Sequence, residues 1–259
     1  MPAVTPAAAS KKIALPDLGG AFSMPVVSPE LVPPPYRYKD TRAVNMVFRT
    51  DPRLLEQAVP APLQPNPNGL MIFYIGLFQF ADWDLPYHEA GLVVPVLHEG
   101  RAGNYAVLLY LDQPNPIVGG REIYGWPKKD AGEILYHEGD RVAGSVTRYG
   151  QRIIEASFEP QQQLDPIPDH PKDPNITLKY MPSAEKGAPP DVLKLISTLN
   201  DPDTYTKMRI GKGTLRFNGA PDDAFLARVP IHEVVYAEEV AHDFTMGYGK
   251  VLVDYLAQG

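Results

Sequence analysis

The sequence predicts a mainly β protein of the α+β class, in which antiparallel strands form the core and a few short helices connect them. Short apolar runs with period-two alternation follow one another, and turns containing Gly, Pro, Asn or Asp separate them. The 259 residues include 29 prolines, which favour loops, turns and edge strands over long helices. Long helical patterns do not alternate with the strands, which argues against a parallel α/β sheet.

Most of the predicted strands are short runs rich in β-branched and aromatic residues. The run LMIFYIGLFQF at 70–80 is too short to span a membrane and too rich in β-prone residues for a helix. The other predicted strands lie at 42–50, 91–99, 104–112, 133–138, 141–149, 152–160, 176–182 and 207–217.

The remaining segments are a helix and the C-terminal part of the chain. Residues 51–60 predict a short helix with Asp51 as N-cap and Pro52 at its first position. Residues 191–199 fit a strand or a helix. Residues 229–246 are predicted as an extended pair, and the run 248–256 closes the chain.

The domain organisation follows from composition. Residues 1–30, rich in Ala, Pro and Ser, are predicted as a flexible N-terminal arm, and residues 31–259 as a single domain. The first residues lack the basic-then-apolar order of a secretory signal, and the chain has no cysteine. We therefore expect a cytoplasmic protein without disulfides.

Net charge limits the possible partners. The formal net charge is −7, whereas proteins that bind nucleic acids or anionic membranes present basic surfaces. No apolar run reaches the length needed to cross a bilayer. We therefore expect no nucleic-acid partner and no membrane partner.

Residues 119–130 read GGREIYGWPKKD and place two lysines directly after a tryptophan and a proline. A free lysine has a pKa near ~10.4, so it is protonated and not nucleophilic at neutral pH. Desolvation and a neighbouring positive charge both favour the neutral amine, which attacks ketones and forms a Schiff base. The pair is therefore either an ordinary solvated turn or a catalytic amine.

The expected geometry separates the two lysines. If 122–129 is extended, successive side chains alternate between faces. Lys128 then shares a face with Tyr124 and Trp126, whereas Lys129 points to the other face. Desolvation would be the main influence on Lys128. Lys129 would act on it only if the proline bends the chain.

The sequence resembles the acetoacetate decarboxylase family in several blocks. GREIYGWPKK looks like the active-site signature of that family. The blocks PYRYKDTRAVNMVFRTD with VPAPL, PYHEAGLVVPV, GNYAVLLYLD and YGKVLVDYL also fit, in the right order and spacing. The resemblance covers about residues 30–257. It implies an antiparallel β cone or closed sheet with a buried lysine, and a homo-oligomer.

Three residues match functional positions of the family. Lys128 matches the lysine that forms the Schiff base, Lys129 matches its neighbour, and Glu89 matches an active-site glutamate. In acetoacetate decarboxylase, an apolar pocket or a nearby cation lowers the pKa of the nucleophilic lysine. The resemblance therefore implies Lys128, Glu89 and Lys129 as catalytic residues.

Two other positions depart from the family. A second family glutamate falls on Tyr74, and the family's active-site arginine falls on Thr41, beside Arg42. Arg42 could replace that arginine only if the strand bulges, because adjacent residues of a strand face opposite ways. Together with Tyr124 and Trp126, Tyr74 and Arg42 are the expected substrate-binding residues.

The implied activity is a Schiff-base lyase acting on a keto acid, and three alternatives stay open. The first is decarboxylation of a β-keto acid, larger or more apolar than acetoacetate because of the aromatic residues. The second is an aldolase–dehydratase that uses pyruvate and an aldehyde, with Tyr74 as a proton donor. The third is a non-catalytic β domain that binds a small molecule.

Other common sites are not supported. Four of the six histidines precede a glutamate, but none forms HExxH or another helical ligand pair, so we expect no metal. The glycines around residue 120 do not give GxGxxG before a helix, and no serine lies in GxSxG. We therefore expect no cofactor and no hydrolase triad.

Overall fold

The structure is a computed structural model that describes residues 19–81, 85–169, 172–219 and 223–257. Its contacts divide the chain into Met1–Pro33 and Pro34–Gly259. The predicted N-terminal arm, residues 1–30, lies mostly outside the described residues. Residues 19–33 contain turns and bends, and Ser23 Oγ accepts a hydrogen bond from the Leu31 amide at 2.9 Å.

The unit Pro34–Gly259 is built on one large sheet. Its first seven strands are β1 (Tyr36–Arg49), β2 (Gln64–Pro65), β3 (Leu70–Phe80), β4 (Leu85–His98), β5 (Arg101–Leu111), β6 (Lys128–Asp130) and β7 (Glu133–His137). The remaining strands are β8 (Val142–Arg148), β9 (Gln151–Gln163), β10 (Asn175–Met181), β11 (Val192–Thr198), β12 (Asn200–Phe217), β13 (Glu233–Met246) and β14 (Lys250–Asp254).

Short helical segments connect the strands. They are α1 (Pro52–Ala58), α2 (Pro114–Gly119), a π-helical turn (Gly120–Tyr124) and a 3-10 turn (Leu226–Arg228). The predicted helix at 51–60 is confirmed with its cap, because the Asp51 side chain accepts a hydrogen bond from the Arg53 amide at 2.9 Å. Within the described ranges, none of the helices combines the length and the apolar composition that crossing a lipid bilayer requires.

The strand order confirms a mainly β fold but not the closed sheet. The order is β14-β11-β10-β5-β4-β3-β1-β13-β12-β9-β8-β7, and β2 and β6 pair with β4 and β5. Every pairing is antiparallel except those of β5 with β10 and with β6. Over the described residues, β14 and β7 do not pair with each other. Instead β7 packs against β3 and β4, so side-chain packing takes the place of edge pairing.

Two predictions about the C-terminal part are now decided. Residues 191–199, which fit a strand or a helix, contain β11. The extended pair predicted at 229–246 is wrong, because Glu233–Met246 is one continuous strand. This strand pairs with β1 on one side and β12 on the other, so it lies in the middle of the sheet.

The central strands divide their side chains between two faces. In β1, Val44, Met46 and Phe48 are almost completely buried in the main hydrophobic core. The alternate residues Ala43 and Val47 line a cavity on the other face. The same alternation in β3 and β4 sends one set of residues into the core and the other toward the cavity. The strands that stabilise the fold therefore also build the cavity.

Gly76 provides a test of how tightly these strands pack. It lies opposite Ala43 in β1 and Glu89 in β4, and a Cβ there would lie 2.7 Å from Ala43 Cβ and closer still to the Arg42 carbonyl oxygen. We expect Gly76→Ala to lower the free energy of unfolding by about 1–3 kcal/mol, as overpacking does. Urea denaturation measures the effect.

The matched control for this substitution is Gly247→Ala, because a Cβ at Gly247 meets nothing within 4 Å. Its urea midpoint should stay near that of the unsubstituted chain. Equal midpoints for the two variants would show that the sheet accommodates a methyl group at Gly76.

Candidate active site

The cavity on the second face of the central strands has a volume of about 570 Å³. Strands β1, β3, β4, β6, β12 and β13 all contribute to its lining. Part of that lining is aromatic and consists of Tyr38, Tyr74, Phe78, Tyr87, Trp126, Tyr205, Tyr236 and Phe244. A cavity of this size and lining suits a small organic ligand.

Lys128 and Glu89 form a buried ion pair in this cavity. Lys128 Nζ lies 2.9 Å from Glu89 Oε2, and the two side chains are 9% and 6% exposed. The approach is close but lies outside hydrogen-bond angles, and no side chain or amide of the described residues donates a hydrogen bond to this oxygen. The Lys128 amine also lies 5.7 Å from the centre of the Tyr87 ring.

The register of β5 brings the two charged residues together. Glu89 on β4 is paired with Leu111, and Lys128 on β6 is paired with Leu109, on the other side of β5. Leu109 and Leu111 are two residues apart, so the four side chains share one face of the sheet. Arg121 Nη1 donates a hydrogen bond to the Lys128 carbonyl oxygen at 3.1 Å, which fixes the short strand that carries the lysine.

Tyr74 is the second partner of Glu89. Its hydroxyl donates a hydrogen bond to Glu89 Oε1. Burial, followed by the charge of Glu89, raises the pKa of Tyr74 well above its ordinary value, so the phenol stays protonated. Gly91 lies opposite Tyr74, and a Cβ there would be 2.5 Å from the ring. A glycine at this position therefore lets the tyrosine lie across β4 toward the carboxylate.

The segment before Lys128 is not extended, so the alternation predicted for 122–129 is wrong there. Gly120–Tyr124 is a π-helical turn, and Gly125 ends it with φ +77°. Gly120 packs against the lysine side chain, because a Cβ there would lie 2.6 Å from Lys128 Cδ. The glycines of the segment permit both the turn and this close approach.

This turn separates two of the predicted substrate-binding residues. Trp126 lines the cavity, as expected. Tyr124 instead lies outside the residues that line it, and its hydroxyl donates a hydrogen bond to the Gly247 carbonyl oxygen at 3.0 Å. The structure therefore keeps Trp126 near Lys128 and places Tyr124 in the packing behind it.

Lys129 faces the other side of β6, as strand alternation predicts. Its Nζ lies 2.9 Å from Asp223 Oδ2, which also accepts a hydrogen bond from the Tyr110 hydroxyl at 2.6 Å. Lys129 is not among the residues that line the cavity. Its described contacts are those of a structural ion pair, whereas the charged partner of Lys128 is Glu89.

Arg42 is also directed away from Lys128. The strand does bulge here, since the register shifts between Tyr38 and Thr41. However, Arg42 Nη1 lies 3.0 Å from Glu138 Oε2, and its guanidinium also pairs with Asp40. These three residues line a different, smaller cavity. Arg42 therefore lies outside the residues that line the cavity of Lys128, contrary to the expectation.

Several lining residues were missed from sequence. Tyr87 could have been found, because it lies two residues before Glu89 on one strand and so shares its face. Nothing in the sequence indicated His242 and Asp203, since they are 39 residues apart and meet through strand pairing.

His88 points away from the cavity, and its Nδ1 lies 2.7 Å from Asp112 Oδ2. Within the described residues, no group of three His, Asp or Glu side chains is arranged to hold a metal.

A buried lysine–carboxylate pair inside an aromatic cavity of a mainly antiparallel β sheet defines a candidate small-molecule site. Comparisons identify the family. Residues 23–256 match the family model described as acetoacetate decarboxylase. The acetoacetate decarboxylase of Burkholderia vietnamiensis is 34% identical over 245 residues, covering 92% of this chain and 96% of the relative.

Solved structures share the fold. The acetoacetate decarboxylase of Legionella pneumophila superposes with a TM-score of 0.79 at 25% identity, over 96% of this chain and 100% of that one. The enduracididine biosynthesis enzyme MppR, bound to the condensation product of pyruvate and imidazole 4-carboxaldehyde, gives 0.78 at 22%, over 91% and 97%. The chain belongs to the acetoacetate decarboxylase family, as its motifs predicted, and membership supports its assignment as a lyase.

The ion pair of Lys129 predicts a pH dependence of stability. Burial raises the pKa of Asp223, but hydrogen bonds from Tyr110, Lys129 and the Leu226 amide outweigh it and lower the pKa below the ordinary value. The folded chain thus binds fewer protons here than the unfolded chain. The resulting stabilisation is complete above the unfolded pKa of ~3.9 and is lost as the pH falls through the lower, folded value.

We expect Lys129→Met to lower the free energy of unfolding by about 1 kcal/mol at pH 7, since the lysine is partly solvated. The difference should shrink at a pH below the unfolded value of ~3.9, as the pH approaches the lowered pKa of Asp223. Urea denaturation at both pH values measures it, with Lys186→Met at an exposed position as control. A difference that is independent of pH would contradict the ion-pair account.

Proposed function

We propose that this chain is a Schiff-base lyase that decarboxylates a β-keto acid through an iminium and an enamine at Lys128. The observation that carries the proposal is the Lys128 amine, which is buried in the cavity 2.9 Å from Glu89. Of residues 119–130, Trp126 is the other residue that lines the cavity. Family membership supports the same chemistry.

The chemical steps need an amine, a proton acceptor and an electron sink. Neutral Lys128 attacks the ketone carbon, and loss of water gives a protonated iminium. The bond to the carboxylate carbon breaks, and its electron pair moves to the iminium nitrogen while carbon dioxide departs. Protonation of the enamine carbon and addition of water release the ketone and the lysine. The lysine nitrogen accepts the electrons, so these steps call for no cofactor.

Glu89 is the group placed to accept the lysine proton. The Glu89 carboxylate oxygen lies 2.9 Å from the Lys128 amine, which is within reach for proton transfer once a substrate is bound. The Tyr74 hydroxyl holds the other oxygen of the same carboxylate. Tyr74 stands where the family has a second glutamate, and its hydroxyl donates a hydrogen bond to Glu89. Within the described residues, Glu89 is then the single carboxylate beside the reacting nitrogen of Lys128.

The aromatic lining favours a keto acid larger than acetoacetate. Tyr74, Phe78, Tyr87 and Trp126 surround the lysine end of the cavity. Such rings gain from burying apolar parts of a ligand. The volume of about 570 Å³ also exceeds the needs of a four-carbon acid.

A second candidate is aldol condensation and dehydration. The observation that favours it is the Tyr74 hydroxyl beside Glu89, a donor that could protonate a departing hydroxyl. The fold neighbour MppR, with its bound condensation product, is compatible with this reaction in the same fold. The enamine of bound pyruvate would attack an aldehyde, and water would leave. The third alternative is a binding domain without covalent chemistry. Borohydride trapping distinguishes it from both lyase reactions, because a binding domain forms no adduct at Lys128.

Lys128→Met should abolish the covalent adduct that borohydride traps with acetoacetate or a larger keto acid, because the amine that forms the iminium is gone. Mass spectrometry of peptides locates the adduct. The matched control is Lys129→Met, the adjacent lysine on the other face, which should still be trapped at Lys128. No adduct in the unsubstituted chain with any keto acid or pyruvate would support the binding domain instead.

Products distinguish the two lyase reactions. Release of carbon dioxide from β-keto acids supports decarboxylation. Formation of an ultraviolet-absorbing enone from pyruvate and an aldehyde supports condensation and dehydration. The same Lys128 adduct is expected in both cases, so only the product assigns the reaction.

Glu89→Gln should separate bond formation from turnover. We expect the trapped adduct to persist while kcat falls by about 10²-fold or more, since a positioned proton-transfer group contributes on that order. Glu138→Gln, in the separate cavity beside Arg42, is the control and should turn over normally. Unchanged turnover in Glu89→Gln would remove Glu89 from the mechanism.

Three further expectations from the sequence stay predictions. They are a homo-oligomer, a single domain over residues 31–259, and a cytoplasmic location. Size-exclusion chromatography with light scattering measures the first.

A further inference from the structure

A histidine–aspartate pair opens into the same cavity as Lys128. His242 Nδ1 on β13 lies 2.7 Å from Asp203 Oδ1 on β12, and the two side chains are 13% and 14% exposed. The imidazole stacks on Tyr205 at 4.9 Å and lies 5.1 Å from Phe244. A carboxylate only accepts hydrogen bonds, so Nδ1 carries the proton and Nε2 is left to meet a ligand.

His242 is the second possible positive charge of the cavity. Among the described residues that line it, only Lys128 and His242 have side chains that can become cationic. In the proposed reaction Lys128 is covalently bound to the substrate carbonyl. An anionic group elsewhere on the substrate would therefore find its positive partner at His242.

The acidic residues of the lining do not prevent this. Glu89 is paired with Lys128, and Asp203 is paired with His242. Glu238 accepts hydrogen bonds from Asn45 at 3.0 Å and from Tyr236 at 2.8 Å. The remaining two lining carboxylates belong to the exposed Asp169 and Asp173, where water and salt screen their charge.

The two positive groups lie on different strands of the cavity wall. Lys128 Nζ lies beside Glu89 of β4, and β13 is the third strand from β4, so the backbones of Glu89 and His242 are about 14 Å apart along the sheet at ~4.8 Å per strand. The side chains of Lys128 and His242 both line the cavity, so a ligand between them spans less than this backbone spacing. The rings of Tyr87, Tyr38 and Phe244 follow one another between them, with centroid distances of 6.5 Å and 4.4 Å. A ligand that reaches both groups must carry its anion farther from the carbonyl than the single methylene of a β-keto acid.

We propose that His242, oriented by Asp203, binds a second anionic group of the substrate, a carboxylate several bonds away from the carbonyl that Lys128 attacks. This inference rests on the proposed function, because it takes Lys128 as the covalent site. The substrate class is then a keto acid with a distal carboxylate. The imidazolium lies between two carboxylates, one from Asp203 and one from the ligand, in charge-assisted hydrogen bonds.

The test uses 6-oxoheptanoate, whose ketone and carboxylate are separated by four methylenes, and its methyl ester. In the unsubstituted chain, the acid should be trapped on Lys128 by borohydride at about tenfold lower concentration than the ester, the effect of one charge-assisted hydrogen bond. In His242→Gln this advantage should disappear while trapping of the ester is unchanged. A loss shared equally by acid and ester, or no loss, overturns the proposal.

The matched control is His88→Gln. His88 is also paired through Nδ1 with an aspartate at 2.7 Å, but it is not among the residues that line the cavity. It should keep the preference for the acid. Asp203→Asn should keep part of the preference, because it leaves the imidazole in place without the charge that orients it. A melting curve for each variant verifies folding. If His242→Gln does not fold, the partial loss of preference expected for Asp203→Asn is the test of the proposal.

A non-reacting ligand separates failure of this proposal from failure of the proposed function. If the unsubstituted chain forms no adduct with acetoacetate, pyruvate or 6-oxoheptanoate, the Schiff-base function fails. Calorimetric binding of hexanoate, which has a carboxylate but no ketone, then tests whether His242 binds a carboxylate. Weaker binding in His242→Gln but not in His88→Gln retains His242 as the carboxylate partner, and equal binding in both overturns it.

Discussion

The buried pair of Lys128 and Glu89 is the interaction on which the candidate site depends. Each charge alone would cost several kcal/mol to remove from water, so either residue needs the other in this cavity. The pair exists because β4 and β6 flank β5 and present the two residues on one face. Tyr74 adds the hydrogen bond that holds the carboxylate. A small change in the register of β5 would therefore separate the charges and remove the site.

One face of the central strands packs in the hydrophobic core, and the other face lines the cavity. Core residues such as Met46, Phe73 and Val94 alternate with residues that line the cavity. Packing of the core fixes the strands, and the fixed strands hold the backbones of the cavity residues in place. The Lys128 side chain is 9% exposed in this aromatic lining, and removal from water is what the proposed nucleophilic amine requires.

Sequence reasoning succeeded where the information is local or carried by motifs. Period-two patterns predicted most strands, and the Asp51–Pro52 pair predicted α1. It failed over 122–125 because Gly120 and Gly125 allow a π-helical turn and a left-handed residue, which alternation does not anticipate. It also predicted Arg42 as a substrate-binding residue, whereas Asp40 and Glu138 hold Arg42 outside the lining of the Lys128 cavity. Those partners lie 2 and 96 positions away, and the second cannot be predicted from local sequence.

The sequence by itself determined a mainly β chain, its family, and Lys128 and Glu89 as the residues to consider first. Strand periodicity and the motifs are properties of residues close together in the sequence, so they can be recognised without knowing the tertiary structure. The tertiary structure decided that Lys129 pairs with Asp223, that Tyr124 leaves the cavity, and that His242 meets Asp203 inside it. These outcomes depend on which strands pair and in which register, and residues far apart in the chain acquire partners only when the sheet forms.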